Sequence, residues 1–241
     1  MPGYLKITLV PILILMLLSE ISAQDKDGNP IPQFLFPSFK EGIVIMKDGK
    51  KISGLLNYNM AEEKMVSELE GVYRYSKDPK YIQTIFLENR VFVPVESAFY
   101  EVLSTGPATF FLQHKCYVSS KGTDVGYGAT SQSQGPTKMT RVELVNVVYQ
   151  YGDVAYLNLP PNVNITPASA FWVRKDEKLE KFNTQKQFLK IFPEQASELK
   201  TYMKNENIKI KSREDVIKLG DYCNKLLEHA GSKKNSDNGG K

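Results

Sequence analysis

Residues 170–194 read AFWVRKDEKLEKFNTQKQFLKIFPE, and the spacing of the apolar side chains changes within them. Up to Phe182 apolar and polar residues alternate on either side of Asp176-Glu177, the pattern of two strands joined by a tight turn. From Asn183 onward the apolar residues recur every three to four positions, the period of an amphipathic helix. Asn183 or Thr184 supplies a side-chain oxygen able to cap that helix. The chain therefore passes from β structure to α structure near residue 182.

Toward the N-terminus the alternating pattern persists back to Gly42. GIVIMKDGKKISGLLNYN reads as a hairpin turning at Asp48-Gly49, where both residues tolerate positive φ. MVSELEGVYRYS repeats this around Glu70-Gly71, and YIQTIFLENRVFVPVE around Asn89-Arg90. ATFFLQHKCYVSS, after Gly106-Pro107, reads as one long strand, and MTRVELVNVVYQYGDVAYLNLP as a further hairpin at Gly152-Asp153. Many short strands linked by tight turns predict an antiparallel meander, curled into a roll, a sandwich or a partly open barrel.

Toward the C-terminus, PEQASELKTYMKNEN places Pro193 at a first helical turn, where its missing N–H is harmless. SREDVIKLGDYCNKLLEH opens on Ser212 with Asp215 three positions on, resembling a capping box. Val216, Leu219, Cys223, Leu226 and Leu227 form one stripe on this last helix, and the β region is the surface available to cover it. The fold class expected is α+β, an antiparallel meander followed by a small helical region packed on it.

The chain begins MPGYLKITLVPILILMLLSEISAQ, with Lys6 ahead of the apolar run Ile7–Leu18 and small residues before Gln24. This is the layout of a cleavable export signal cut after Ala23. A retained anchor is the alternative, disfavoured because the run is shorter than the ~20 residues of a spanning helix. The expected organisation is a signal at 1–23, an extended segment at 24–41, a β domain at 42–182, helices at 183–230 and a disordered tail at 231–241. The mature chain is expected outside the cytoplasm: periplasmic, outer-membrane-associated or secreted, with no transmembrane segment.

Net charge is +4, with +5 from Arg174 onward and −1 over residues 24–173. So small a basic excess fits a solvated helical face, not the dense basic patch that nucleic-acid binding requires. Two cysteines occur, Cys116 and Cys223. An even count in an oxidising compartment permits one disulfide, whereas two apolar positions suit buried free thiols.

Candidate chemistry is sparse. The two histidines are His114 and His229. On a single long strand His114 and Cys116 would project side by side, yet no third orienting residue is near them in sequence, and His114 reads as structural. His229 falls near a helix C-terminus, where a protonated imidazole suits the dipole. Neither HExxH, a CxxC pair nor an acidic calcium loop occurs, so no metal and no cofactor is expected. Glu62, Glu63, Glu96 and Glu101 are carboxylates of the type a glycosidase uses, although acidic residues are too common for that to discriminate. Gly122–Lys138, GTDVGYGATSQSQGPTK, has glycines but lacks the Gly-Lys-Ser/Thr of a phosphate loop. It reads as a long surface connection between strands, with Gly126, Tyr127, Gly128 and nearby Tyr117 as the residues that would bind a polymer or peptide.

GLLNYNMAEEKM, YGATSQSQ, FWVRKDEKLEKFNTQKQFLKIFPE and SREDVIKLGDYCNKLL together resemble uncharacterised exported proteins of Bacteroidetes. The resemblance covers most of the mature chain and is most specific from FLKIFPE to EDVIKL. It implies a secreted or envelope protein with a β-rich body and a helical end, and it transfers no catalytic residue. The functional expectation is a non-catalytic envelope protein that binds another envelope protein or an extracellular polymer, or supports an assembly. A hydrolase of an envelope or extracellular polymer, working through carboxylates or His114, is the alternative. A carrier of an apolar ligand inside a curved sheet is a weaker one.

Overall fold

The computed structural model describes residues 32–76, 78–120 and 163–238. The export signal, Gly122–Lys138 and the hairpin expected at 139–160 lie outside the described residues. Ten strands form one antiparallel sheet: β1 (Lys40–Met46), β2 (Lys51–Asn59), β3 (Lys64–Leu69), β4 (Val72–Tyr75), β5 (Ile82–Leu87), β6 (Arg90–Val95), β7 (Ala98–Ser104), β8 (Thr109–Gln113), β11 (Ala170–Lys175) and β12 (Lys178–Phe182). Their spatial order is β12-β11-β8-β7-β6-β5-β1-β2-β3-β4, so the sheet is open, with β12 and β4 at its edges. A short 3-10 turn, Pro79–Tyr81, leads into β5. β9 (Cys116–Ser120) and β10 (Val163–Pro167) pair as a separate ribbon. Three helices follow, α1 (Gln185–Ile191), α2 (Ala196–Asn205) and α3 (Arg213–Asn238).

The turns carry much of this order. Glu70 and Gly71 both take positive φ (53° and 76°), as do Asp176 and Glu177 (49° and 61°). That handedness matches the twist of the flanking strands. At the first hairpin only Gly49 turns left-handed, and its N–H bonds Met46 O at 2.9 Å. The third hairpin turns at Glu88-Asn89, one residue earlier than Asn89-Arg90, because Arg90 already pairs with Leu87 as the first residue of β6.

The sheet curls. Tyr58 of β2 donates its hydroxyl to Phe99 O of β7 at 3.0 Å, although three strands separate them in the sheet. The inside of the curl is filled by Leu56, Tyr58, Met65, Ile85, Leu87, Phe92 and Phe99. Asn57 anchors the segment before β1: its side chain bonds Phe36 N and O (3.2 and 2.8 Å) and Ser38 O (3.3 Å). Phe34, Phe36 and Phe39 are thereby held as buried cover on both sides of β2 and β3.

The same sheet face continues under the helices. Phe110 and Leu112 of β8, Phe171 and Val173 of β11 and Phe182 of β12 pack against Phe188, Phe192, Leu199, Met203, Val216, Leu219 and Cys223. Phe110 lies 6.1–6.4 Å from the rings of Phe182, Phe188 and Phe192, a cluster worth ~0.5–1.5 kcal/mol per ring pair beyond area burial. Thr184 caps α1 by accepting from Gln187 N at 3.2 Å, and Ser212 caps α3 by accepting from Asp215 N at 3.2 Å. The reciprocal half of the capping box is absent, since Asp215 accepts from Lys209 N instead. Pro193 lies in the turn before α2, not in its first turn; α2 begins at Ala196. The backbone of α3 runs on to Asn238, into the stretch expected as a disordered tail. A formed helix adds one hydrogen bond for each residue it fixes, so propagation outruns the packed surface.

Candidate functional site

The expected long strand 108–120 breaks at His114-Lys115. β8 pairs with β11 in the main sheet, while β9 leaves for the ribbon with β10. Cys116 N reaches Met60 O at 3.1 Å, and Lys115 Nζ reaches Glu63 Oε2 at 3.2 Å. Glu63 also accepts from Gln113 Nε2, whose side-chain oxygen accepts from Trp172 Nε1 at 2.9 Å. The change of direction leaves His114 at the end of the main-sheet run and Cys116 at the start of the ribbon, and His114 is buried.

It turns toward Glu101. The register places Ile85, Phe92, Glu101, Leu112, Phe171 and Phe182 in one row across β5, β6, β7, β8, β11 and β12. A single carboxylate thus sits in an otherwise apolar row, where the face passes from the curl's interior to the helix-covered half. Its side chain is wholly buried. An isolated carboxylate there would be prohibitive, so the charge must be compensated. Glu101 Oε1 accepts from Arg213 Nε at 2.7 Å and lies 2.5 Å from Arg213 Nη2. Oε2 lies 2.6 Å from His114 Nε2 and 3.4 Å from Arg90 Nη1. Burial by itself raises the Glu101 pKa; the hydrogen bonds from His114 and Arg213 and the charges of His114 and Arg90 outweigh it and hold the carboxyl below its ordinary value.

Each partner comes from a different element. Arg90 opens β6, His114 directly follows β8, and Arg213 is the first residue of α3. A cation at a helix N-terminus opposes the dipole, and the buried carboxylate offsets that. His114 is further enclosed by Tyr58 and Phe92, with ring centroids 6.0 and 6.1 Å away. Farther along α3, Asp221 bonds Ser104 Oγ at 2.6 Å, and Asn224 accepts from Ala108 N at 2.9 Å. The set reads as a polar seam joining α3 to β7 and the turn after it. Sequence reasoning missed Arg90 and Arg213 because only the strand register brings Arg90, and only the docking of α3 brings Arg213, to Glu101.

The other carboxylates do not join this cluster as a catalytic pair. Glu63 is held by Lys115 and Gln113, Glu62 is buried, and Glu96 sits in the β6–β7 turn with φ 54°. Cys116 and Cys223 are both free and buried in this structure. Cys223 belongs to the cluster under α3, whereas Cys116 opens the ribbon beside Met60, and the two elements face different neighbours. Burial pushes the Cys223 thiol up to about 12; burial, with the Glu63 charge nearby, pushes Cys116 up to about 11. Both are poor nucleophiles at neutral pH. His229 lies within α3, short of its end. Tyr117 is exposed on β9, and Gly126, Tyr127 and Gly128 lie outside the described residues.

A solvent-open concavity lies elsewhere, on the outer face of β1, β2 and β5. It is a trough of about 590 Å³ lined by Glu41, Ile43, Ser53, Leu55, Phe86 and Glu88, with the Gly42 and Gly54 backbones as floor. Ile43 and Phe86 are directly opposed across β1 and β5 and are 41% and 44% exposed. Among the described residues no three His, Cys, Asp or Glu side chains group as a metal site, and no helix is long and apolar enough to cross a membrane. The chain matches no protein-family model, and comparison with curated proteins and with solved structures gives no match.

Proposed function

We propose that this chain is an exported cell-envelope protein that acts without catalysis, binding a partner or supporting an assembly. The observation that carries this reading is the contrast between its buried polar cluster and its open outer sheet face. The groups best suited to chemistry, Glu101 and His114, are buried and committed to each other and to two arginines. A general acid or base needs reach to a substrate proton, and this pair has its partners already in place. The open face carries exposed Ile43 and Phe86, side chains of the kind that mark interaction surfaces. The interior of the curl is packed with side chains, which speaks against the apolar carrier. Export rests on the N-terminal segment and on the resemblance to exported Bacteroidetes proteins.

A photo-crosslinking residue at position 43, compared with one at exposed position 200, tests this in the native envelope. The expected result is a discrete adduct from position 43 alone. Absence of any adduct from position 43 contradicts the proposal. So does hydrolysis of an envelope polymer that His114→Gln abolishes while the variant remains folded.

A further inference from the structure

The outer sheet face carries a second transverse row. Ser53, Ile43, Phe86, Val91, Val102, Phe111, Trp172 and Lys181 follow one another across β2, β1, β5, β6, β7, β8, β11 and β12. Its two ends differ. At the β8–β11 end the row is closed over: Phe111 is buried beside Tyr100 and Trp172, with the Arg174 guanidinium over its ring at 5.1 Å. At the β1–β5 end Ile43 and Phe86 are open, and Val91 and Val102 are half-buried.

The open end has a charged flank. Two positions along the strands, Glu68, Leu55 and Glu41 form the next row across β3, β2 and β1, and Glu88 follows at the end of β5. Glu41 and Glu88 are exposed and line the trough, and Glu88 is loosely paired with Lys40 at 3.8 Å. On the opposite flank the outward residues are Lys51, Ile45 and Thr84. The patch is therefore apolar in the middle and acidic along one side.

We infer that this patch docks an amphipathic helix with a basic flank, presented by another protein. The inference rests on the binding role proposed above and supplies the chemistry of the partner. β1 is hydrogen-bonded to β2 and β5 on its two sides, so an extended peptide finds no free ladder there. A helix satisfies its own backbone and needs only a side-chain surface. The open row from Ile43 to Val102 crosses four strands, a span of about 14 Å that about ten helical residues cover. The rows of one face lie about 7 Å apart along the strands, the offset at which a helix lying on the apolar row sets flanking lysines over the carboxylates. An anionic membrane surface is repelled by the same carboxylates.

The test uses the purified protein and an amphipathic Leu/Lys helix of about 18 residues, with its Leu/Glu counterpart as control. Binding is read by calorimetry, and folding of each variant by circular dichroism. The Leu/Lys helix is expected to bind, the Leu/Glu helix about tenfold or more weaker, and added salt to weaken binding. Glu41→Lys and Phe86→Ser, both at exposed positions, are expected to remain folded and each to reduce binding about tenfold. Equal binding of the two helices, no binding of either, or binding indifferent to both substitutions overturns the inference. Self-association that Phe86→Ser abolishes assigns the face to a second copy, and capture by phosphatidylglycerol vesicles that Phe86→Ser abolishes assigns it to lipid; each also overturns it. A crosslink from position 43 in the envelope, without Leu/Lys binding, leaves the binding role standing and removes only the basic helix.

Discussion

Glu101 ties β6, the end of the β8 run and α3 to β7 through one buried carboxylate. Removing it leaves Arg213 without its buried counter-charge, and breaking such a group from one side costs about 3–5 kcal/mol. Glu101→Ala is expected to lower stability by that amount in urea unfolding. His114→Gln, which keeps a polar side chain but loses the aromatic-lined fit, is expected to cost about 1–3 kcal/mol. The pH dependence follows from the direction of the Glu101 shift. Its folded pKa is below the unfolded value, so the native state binds that proton more weakly. The stabilisation is complete above the ordinary glutamate range and is lost as pH falls through that range toward the lowered folded value. Urea midpoints across acid pH are therefore expected to fall more steeply for the native sequence than for Glu101→Gln. Equal slopes contradict this assignment. None of it is legible in the sequence: Glu101 is one of 27 acidic residues, and its burial depends on which strands neighbour β7.

At the scale of elements, α3 shows what sequence does and does not reveal. Its apolar stripe and Ser212 cap are visible in the letters alone, and both recur in the fold. Ser212→Ala is expected to cost about 1 kcal/mol. Leu219 is fully buried against the sheet, and Leu219→Asp is expected to cost about 4 kcal/mol or more by burying an unpaired charge. The close seat of the helix is not visible in sequence. A Cβ on Gly220 would stand 2.9 Å from Ser104 Cβ and 3.0 Å from the Phe110 ring. Gly220→Ala is therefore expected to destabilise by about 1–3 kcal/mol through overpacking, despite alanine's better helix propensity. Thermal unfolding of the variant checks the sign. The hairpins at Glu70-Gly71 and Asp176-Glu177 were readable because the turn residues sit between strands of matched alternation. The break between β8 and β9 was not, because His114 and Lys115 continue the alternation and leave the sheet only through contacts with Glu101 and Glu63.

Over the whole molecule the sheet is one surface with two uses. Its inner face fills the curl at one end and seats the helices at the other, and the Glu101 cluster lies at the junction. On this account the cluster is a tie between sheet and helices, not a reaction centre, and the described body unfolds as one unit. The single tryptophan, Trp172, lies on β11 and reports the sheet, while far-ultraviolet dichroism is dominated by the helices. The most direct measurement is urea unfolding followed by both signals, for the native sequence and for Glu101→Gln. The account predicts coincident transitions in the native protein and a shift of both signals together in the variant. Helices that melt apart from Trp172 in the native protein, or a variant that unfolds as the native protein does, would contradict it.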